Sequence, residues 1–133
     1  MKQLIYQSLY SVFYLFSLLP YFILYRISDL LYLLVFYVFR YRRQIILQNL
    51  TNSFPSKSAE EIRQIRKRFY KYFCDLIVEI IKLLSLSKNE IVRRCSMDPA
   101  TRNLIQYMYD SKRNFIIVMG HFGNWEMANH AFN

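Results

Sequence analysis

The sequence predicts an incomplete α/β protein in which an N-terminal membrane helix and amphipathic helices precede the first strand, turn and helix of a sheet. Three observations lead to this prediction. Residues 3–25 form a long run without charge. Apolar side chains recur every three or four positions over residues 62–83, as in a helix with one buried face. A short apolar run at 115–119 is followed by Gly120, which is typical of a buried strand that ends in a turn.

Composition favours a membrane-associated protein with an anionic partner. The chain has 133 residues, of which 54% are hydrophobic and 18% aromatic, and a soluble domain of this size rarely has interior enough to bury so many rings. Lys and Arg number 18 against 9 Asp and Glu, a net charge of +9, which suits a membrane surface, nucleic acid or an acidic carrier protein. Cys74 and Cys95 lack metal-binding spacing, so free thiols in a reducing compartment are expected.

The uncharged run is long enough to cross a membrane. About 20 apolar residues cross a bilayer as a helix, and Pro20 is expected to kink this helix or end its first half. A second apolar run, residues 30–39, is too short to span alone. Two arrangements compete: either residues 3–25 span and 30–39 lie in the interface, or one tilted or broken helix covers 4–39. A buried core helix is the soluble alternative, and a secretory signal is disfavoured because no small-residue cleavage site follows.

A basic cluster of Arg40, Arg42 and Arg43 follows the apolar region. By the positive-inside rule, it predicts that the following chain lies in the cytoplasm. The same side chains are placed to contact lipid phosphates, each contact being worth roughly 1 kcal/mol near an anionic leaflet. We therefore predict a membrane anchor with a basic flank over residues 1–43.

A long amphipathic helix is predicted next, because Ser58 and Glu61 have capping-box spacing. Its apolar positions are Ile62, Ile65, Phe69, Tyr72, Phe73, Leu76, Ile80 and Leu83. Basic residues lie between them, namely Arg63, Arg66, Lys67, Arg68 and Lys71. They form either a solvated face or a surface that meets anionic lipid or an acidic protein. Without a nucleic-acid-binding motif, nucleic acid is not expected.

Asp98-Pro99 predicts a further helix that runs to about Tyr109.

The candidate catalytic residues follow the predicted strand. His121 comes directly after Gly120, at the carboxyl end of that strand, where open α/β sheets hold their ligand sites. Histidine is the usual base for activating a hydroxyl, because its pKa lies near neutrality. A turn through Gly123 can bring the Glu126 carboxylate to the other ring nitrogen, where it fixes the tautomer and stabilises the imidazolium. The alternative is a helix-capping His with a surface Glu, while His130 has no comparable setting and is expected to be structural or exposed.

Four features of the sequence point to one known family. They are the N-terminal hydrophobic anchor, the basic stretch RYRRQIILQNLTNSFP at 40–55, the helical segment FYKYFCDLIVE at 69–79 and the motif GHFGNWE at 120–126. Together they resemble the lipid A biosynthesis late acyltransferases of the lauroyl and myristoyl type, and the motif is the most specific of the four. The resemblance covers nearly the whole chain, and it implies that residues 44–133 are the N-terminal part of an acyltransferase domain.

The resemblance implies transfer of a fatty acyl chain from acyl carrier protein to a hydroxyl of a lipid A precursor. The reaction would take place at the cytoplasmic face of the bacterial inner membrane, without a metal or another cofactor. His121 would be the general base and Glu126 its partner, while Gly123, Asn124 and Trp125 would shape the site. Family members are longer chains, so we expect these 133 residues alone to be inactive.

Three other functions stay open. A glycerolipid acyltransferase uses a similar pair of His and acid on a different acceptor. A non-catalytic membrane anchor or interaction protein would need neither residue. A hydrolase would use the same base to activate water, although the sequence has no Ser or Cys nucleophile motif.

Overall fold

A computed structural model describes residues 2–95, 97–112, 114–116, 118, 120 and 123–132. The helices in this part of the chain are α1 (Lys2–Ser17), α2 (Tyr21–Leu33), α3 (Arg43–Ser53), α4 (Ala59–Lys82), α5 (Lys88–Arg94), α6 (Pro99–Asp110) and α7 (Trp125–Phe132). A π-helical turn, Leu34–Val38, continues α2, and a 3-10 turn, Leu83–Ser85, follows α4. The chain divides into two compact units, Met1–Ser85 and Leu86–Asn133. The predicted boundary at residue 43 concerns function and stays a prediction.

The α/β prediction is wrong for the part of the chain that the structure describes, which contains helices and no strand. Within the predicted strand at 115–119, the described residues 115, 116 and 118 have no regular structure. Ile116 and Val118 are 90% and 91% exposed. β-Branched residues favour an extended backbone, but a strand also needs a second strand to accept its hydrogen bonds. The described residues supply no such partner.

Pro20 separates α1 from α2. It lies at the N-cap of α2 with a φ of −66°, and it has no amide hydrogen with which to continue α1. Over the described residues, one helical stretch, Tyr21–Val38, is long and apolar enough to cross a bilayer by length and composition. The predicted span at 3–25 is therefore interrupted, and the stretch that meets the criterion lies further along. Only 11% of Tyr21–Val38 is buried inside the structure.

Helix α4 begins with the predicted capping box, which the structure confirms. The Ser58 hydroxyl accepts a hydrogen bond from the Glu61 amide at 3.3 Å, and the Glu61 carboxylate accepts one from the Ser58 amide at 2.8 Å. These two bonds satisfy amide groups that have no partner inside the helix. They fix the start of α4, whose 24 residues form the longest helix in the described chain.

The buried face of α4 differs from the predicted apolar stripe. Its buried residues follow a single row with a spacing of four: Ile62, Arg66, Tyr70, Cys74 and Val78. Three residues of the predicted stripe, Phe69, Tyr72 and Ile80, are exposed. Helix α4 is rotated about its axis relative to the orientation that the apolar stripe predicts. The row beside the buried one includes Asp75 and Glu79, which make polar contacts with α2. Side-chain hydrogen bonds, and not hydrophobicity alone, therefore select the face that is buried.

Helices α2 and α4 run antiparallel and are joined by polar contacts along their length. The Tyr25 hydroxyl donates to Glu79 at 2.9 Å, and the Ser28 hydroxyl donates to Asp75 at 2.6 Å. At the next turn, the Lys71 ammonium lies 3.1 Å from the Asp29 carboxylate. Ser28 and the neighbouring Leu24 are fully or almost fully buried, so that the polar contacts border an apolar core.

Lys82 connects the end of α4 to the end of α1. Its ammonium donates to the carbonyl oxygens of Ser17 at 2.8 Å and Leu19 at 3.1 Å. Carbonyl groups at the end of a helix have no partner within that helix, and a cation is a favourable donor to them. The break before Pro20 is thereby held against α4.

The second unit begins with two capped helices. Ser87 caps α5, and Asp98 caps α6 by accepting a hydrogen bond from the Thr101 amide at 3.0 Å. Pro99 occupies the first turn of α6, and the helix ends at Asp110, which confirms the predicted helix within one residue. Helix α5 packs against α7, where Ile91 and Met127 form the buried core.

The capping box makes the stability of α4 sensitive to acid. Hydrogen bonds from the Ser58 backbone, then from the side chains of Lys57 and Ser58, lower the pKa of Glu61 from its ordinary value of 4.5 to about 2. The stabilisation is therefore complete above pH 4.5 and is lost as the pH falls through 2. We expect Glu61→Gln to remove this acid-dependent loss of helicity, followed by circular dichroism, while Glu60→Gln outside the box keeps it. Equal acid profiles for the Glu61→Gln and Glu60→Gln variants would contradict the assignment.

The Ser58 cap gives a second prediction. Ser58→Ala should lower the free energy of unfolding by about 1 kcal/mol, because the hydroxyl that caps α4 is removed.

Candidate functional site

The described part of the motif at 120–126 is a turn that starts α7. Gly123 has a φ of +74°, in the left-handed region that glycine adopts without steric cost. The Asn124 side-chain oxygen accepts a hydrogen bond from the Met127 amide at 3.0 Å, and its carbonyl accepts one from the Ala128 amide at 3.1 Å. Asn124 therefore acts as the N-cap of α7. The residue types at these two positions explain why the chain turns here.

The turn places Glu126 in the first turn of α7. Its side chain is half-buried, beside the buried Met127. A carboxylate is favourable at this end of a helix because the free amide groups there carry partial positive charge. Trp125, which precedes it, is 37% exposed. The segment thus presents one acid and one large aromatic ring at a helix start that is fixed by Gly123 and Asn124.

His121 lies outside the described residues, so its predicted contact with Glu126 stays a prediction. The role of Gly123, Asn124 and Trp125 in shaping a site around it also stays a prediction. His130, which is expected to be structural or exposed, is exposed in the last turn of α7. Over the described residues, no three His, Cys, Asp or Glu side chains come together as a group that could hold a metal ion.

The basic cluster lies where the chain passes from the π-helical turn to α3: Arg40 and Arg42 precede α3, and Arg43 is its first residue. Arg40 and Arg42 have φ values of 50° and 48°, and the left-handed region costs a residue with a Cβ roughly 1–2 kcal/mol. Such strain is often found at functional sites. All three arginines are exposed. Arg40 and Arg43 line a cavity of about 420 Å³ that does not include Arg42. Arg42 lines another of about 270 Å³, and all three arginines line a third of about 540 Å³.

The sequence prediction missed Arg66 as a buried residue. It placed Arg66 on a basic face of the helix, either solvated or meeting anionic lipid or an acidic protein, but the residue is only 8% exposed and lines the same cavity as Arg40 and Arg43. A signal was present in the sequence. Ile62, Tyr70, Cys74 and Val78 place Arg66 inside a row with a spacing of four, and residues in such a row share one helix face.

Because Gly123 has a positive φ, its substitution is expected to destabilise the start of α7. We expect Gly123→Ala to destabilise α7 locally by about 1–2 kcal/mol, because alanine must enter the left-handed region. Amide hydrogen exchange over residues 125–132 would measure the effect. Gly120→Ala is the matched control: an added Cβ at Gly120 meets no atom within 4 Å, so protection should change by no more than about 0.5 kcal/mol. Equal effects of the two substitutions would contradict this account of the turn.

Comparison with known proteins identifies the family. A family model described as bacterial lipid A biosynthesis acyltransferase matches residues 2–133. Searches of curated proteins and of solved structures found no match. The family match includes the N-terminal helices, the basic cluster and the motif at 120–126, and it confirms the resemblance that those segments indicate. Because the match extends over almost the entire sequence, the chain belongs to the family of bacterial lipid A biosynthesis acyltransferases.

Proposed function

We propose that this protein serves the transfer of a fatty acyl chain from acyl carrier protein to a hydroxyl of a lipid A precursor. The observation that carries the proposal is the family match over residues 2–133, which includes GHFGNWE. The family description names acyl transfer and lipid A biosynthesis. The carrier-protein donor, the hydroxyl acceptor and the catalytic residues are our additions to that description.

In the proposed reaction, His121 acts as the general base. Its imidazole removes the proton of the acceptor hydroxyl, and the oxygen attacks the thioester carbonyl of the acyl donor. A C–O bond forms, the C–S bond breaks, and the imidazolium returns its proton to the departing thiolate. Glu126 would bind the second ring nitrogen and stabilise the imidazolium. The left-handed turn at Gly123 supports this role, since it places the Glu126 carboxylate at a helix start five positions after His121.

The N-terminal helices support a location at the membrane. Residues 3–15 of helix α1 are all exposed, and they include apolar side chains such as Leu4 at 68%, Tyr6 at 70% and Val12 at 60%. Such a surface is stable in lipid and unfavourable in water. Helix α2 is bound along one side to charged residues of α4, and charges are costly inside a bilayer. We therefore propose that α1 enters the bilayer and that the α2–α4 pair lies at its surface.

The basic cluster indicates on which side of the membrane the protein acts. It consists of Arg40, Arg42 and Arg43. Exposed arginines beside an apolar segment favour the cytoplasmic side. We propose that the protein acts at the cytoplasmic face of the inner membrane, where a soluble carrier protein can deliver the acyl chain. The basic residues of α4 would then face an anionic membrane surface.

Substitution of the two proposed catalytic residues tests the chemistry. In cells that carry His121→Ala at the natural locus, we expect one acyl chain to be missing from lipid A by mass spectrometry. In membranes from these cells, transfer from radiolabelled acyl carrier protein should fall by about 10²- to 10⁴-fold, since a general base is lost. Glu126→Gln should reduce transfer in the same direction. The matched control is His130→Ala, which removes the same side chain from an exposed position on α7 and should leave lipid A unchanged.

The result also separates the alternatives. Unchanged lipid A in the His121→Ala strain would contradict the proposal and favour a non-catalytic anchor. A changed acyl pattern in phospholipids, with lipid A unaltered, would favour a glycerolipid acyltransferase. Release of free fatty acid without transfer would favour a hydrolase.

We further expect the purified 133-residue chain to transfer no acyl group by itself. A general base is effective only when it is held within hydrogen-bond reach of its substrate. The segment that precedes His121 has Ile116 and Val118 almost fully exposed, so the proposal requires a partner that covers this segment in the cell. Transfer of radiolabel from acyl carrier protein to a lipid A precursor by the purified chain alone would refute this expectation.

A further inference from the structure

Five cationic side chains line one cavity of the first unit. Arg40 lies before α3, Arg43 is the first residue of α3, and Arg63, Arg66 and Lys67 lie on α4. The cavity has a volume of about 420 Å³, and none of the described residues that line it is acidic. Arg63 has a partner outside the cavity lining, the Glu60 carboxylate at 3.8 Å, whereas the other four form no ion pair within the described residues. Like charges so close together repel one another unless an anion lies between them. The charge of this cavity therefore points to an anionic ligand.

Arg66 is a buried cation in this cavity that lacks a hydrogen-bond acceptor for its Nε within the described chain. The side chain is only 8% exposed, and its Nε finds no hydrogen-bond acceptor among the residues that the structure describes. Its guanidinium lies over the Phe36 ring, with 5.7 Å from Cζ to the ring centroid. A ring face attracts a cation but accepts no hydrogen bond in place of a carboxylate or phosphate. A buried arginine without an acceptor is costly to the fold, and an anion in the cavity offsets that cost.

The surroundings of Arg66 hold it in place. The Phe36 ring packs edge-on against the Tyr70 ring, with 5.1 Å between the centroids. Tyr70 is 1% exposed, and its hydroxyl donates to the carbonyl oxygen of Tyr41. The Tyr70 hydroxyl therefore binds the backbone next to Arg40. This bond connects a residue that lines the cavity to the segment in which Arg40 and Arg42 have a left-handed backbone. Such a fixed arrangement is what preorganised recognition of a phosphate requires.

The surface beside the cavity indicates which kind of molecule bears the anionic group. The π-helical turn that supplies Phe36 ends with Tyr37 and Val38, and Phe39 follows it. These three residues are 55%, 64% and 70% exposed. A cationic cavity thus lies next to an uncovered apolar surface at the end of the apolar stretch Tyr21–Val38. A free phosphate uses only the cavity. A membrane lipid uses both, because its phosphate enters the cavity while its acyl chains cover the apolar side chains.

We propose that this cavity binds the phosphate of an anionic membrane lipid and thereby holds the α2–α4 pair at the bilayer surface. The proposal goes beyond acyl transfer, because it concerns residues outside the GHFGNWE motif and does not depend on the chemistry of His121. An acidic protein is a less suitable ligand. A volume of about 420 Å³ accommodates a headgroup phosphate, whereas an acidic side chain on a protein surface has little access to Arg66, a residue that is 8% exposed.

Calorimetric titration of the detergent-solubilised protein tests the proposal. The probes are short-chain phosphatidylglycerol, short-chain phosphatidic acid, short-chain phosphatidylcholine and inorganic phosphate. We expect one site for each of the two anionic lipids, competition between them, and weaker binding of phosphatidylcholine and of inorganic phosphate. Equal affinity for inorganic phosphate and the anionic lipids would overturn the assignment to lipid. Absence of saturable binding by the anionic lipids would overturn the site itself.

Two matched pairs of variants separate a specific cavity from diffuse charge. Arg66→Gln should weaken binding of phosphatidylglycerol by about 10- to 100-fold, as expected for a lost charge-assisted hydrogen bond. Arg68→Gln removes the same charge from an exposed position on α4 and should cost no more than about fivefold. Arg40 and Arg42 form the second pair, because both are exposed and both have left-handed backbone, but only Arg40 lines this cavity.

The second pair keeps the test decisive if Arg66→Gln fails to fold, which circular dichroism and thermal unfolding would detect. Arg40→Gln should weaken lipid binding more than Arg42→Gln does. Equal losses within both pairs would overturn the cavity in favour of diffuse attraction. If binding of acyl carrier protein depended on Arg66 and Arg40 while lipid binding did not, the cavity would be a protein contact and the lipid proposal would be wrong.

Discussion

The antiparallel contact between α2 and α4 organises the first unit. Each helix buries only one narrow row of side chains, so the pair has little apolar core of its own. Polar bonds compensate: Ser28 to Asp75, Tyr25 to Glu79 and Asp29 to Lys71 occur at successive turns. Each bond requires a particular rotation of α4, and together they permit one register. The same rotation turns Arg66 inward and Phe69 outward.

This rotation separates the charges of α4 by function. Toward its C-terminal end, Asp75, Glu79 and Lys82 are used to bind α1 and α2. Toward its N-terminal end, Arg63, Arg66 and Lys67 line a cavity together with Arg40 and Arg43. One end of the helix therefore stabilises the fold with its charges, while the other end keeps an excess of positive charge. Arg63 pairs with Glu60 at 3.8 Å, whereas Arg66 and Lys67 form no ion pair within the described residues. The remaining excess of positive charge is suited to an external anion.

Helix starts were predictable because they depend on local bonds. Ser58 with Glu61, and Asp98 with Thr101, form their capping contacts within four residues, so local sequence is sufficient to find these helix starts. The turn at Gly123 belongs to the same class, since a positive φ is a property of that residue and its neighbours. The break at Pro20 follows from the missing amide hydrogen in the same way.

The failed predictions share a dependence on distant residues. The strand at 115–119 had the right residue types, but strand formation requires hydrogen bonds from a second segment. The apolar stripe of α4 had helical spacing, yet Phe69 and Ile80 are exposed because contacts with α2 select another face. Arg66 was placed on an exposed basic face, solvated or in contact with an anionic partner, because of its charge, although Ile62 and Tyr70 on either side share its buried face.

The sequence by itself determined the family, the helix starts, the turn before Glu126 and the sign of the charge, because each depends on residue identity or on neighbours within a few positions. Only the tertiary structure decided which face of α4 is buried and which arginines meet in one cavity. Those outcomes depend on α2 and on the segment at residues 40–43, which lie far from α4 in sequence and bind it through side chains whose partners no local pattern specifies.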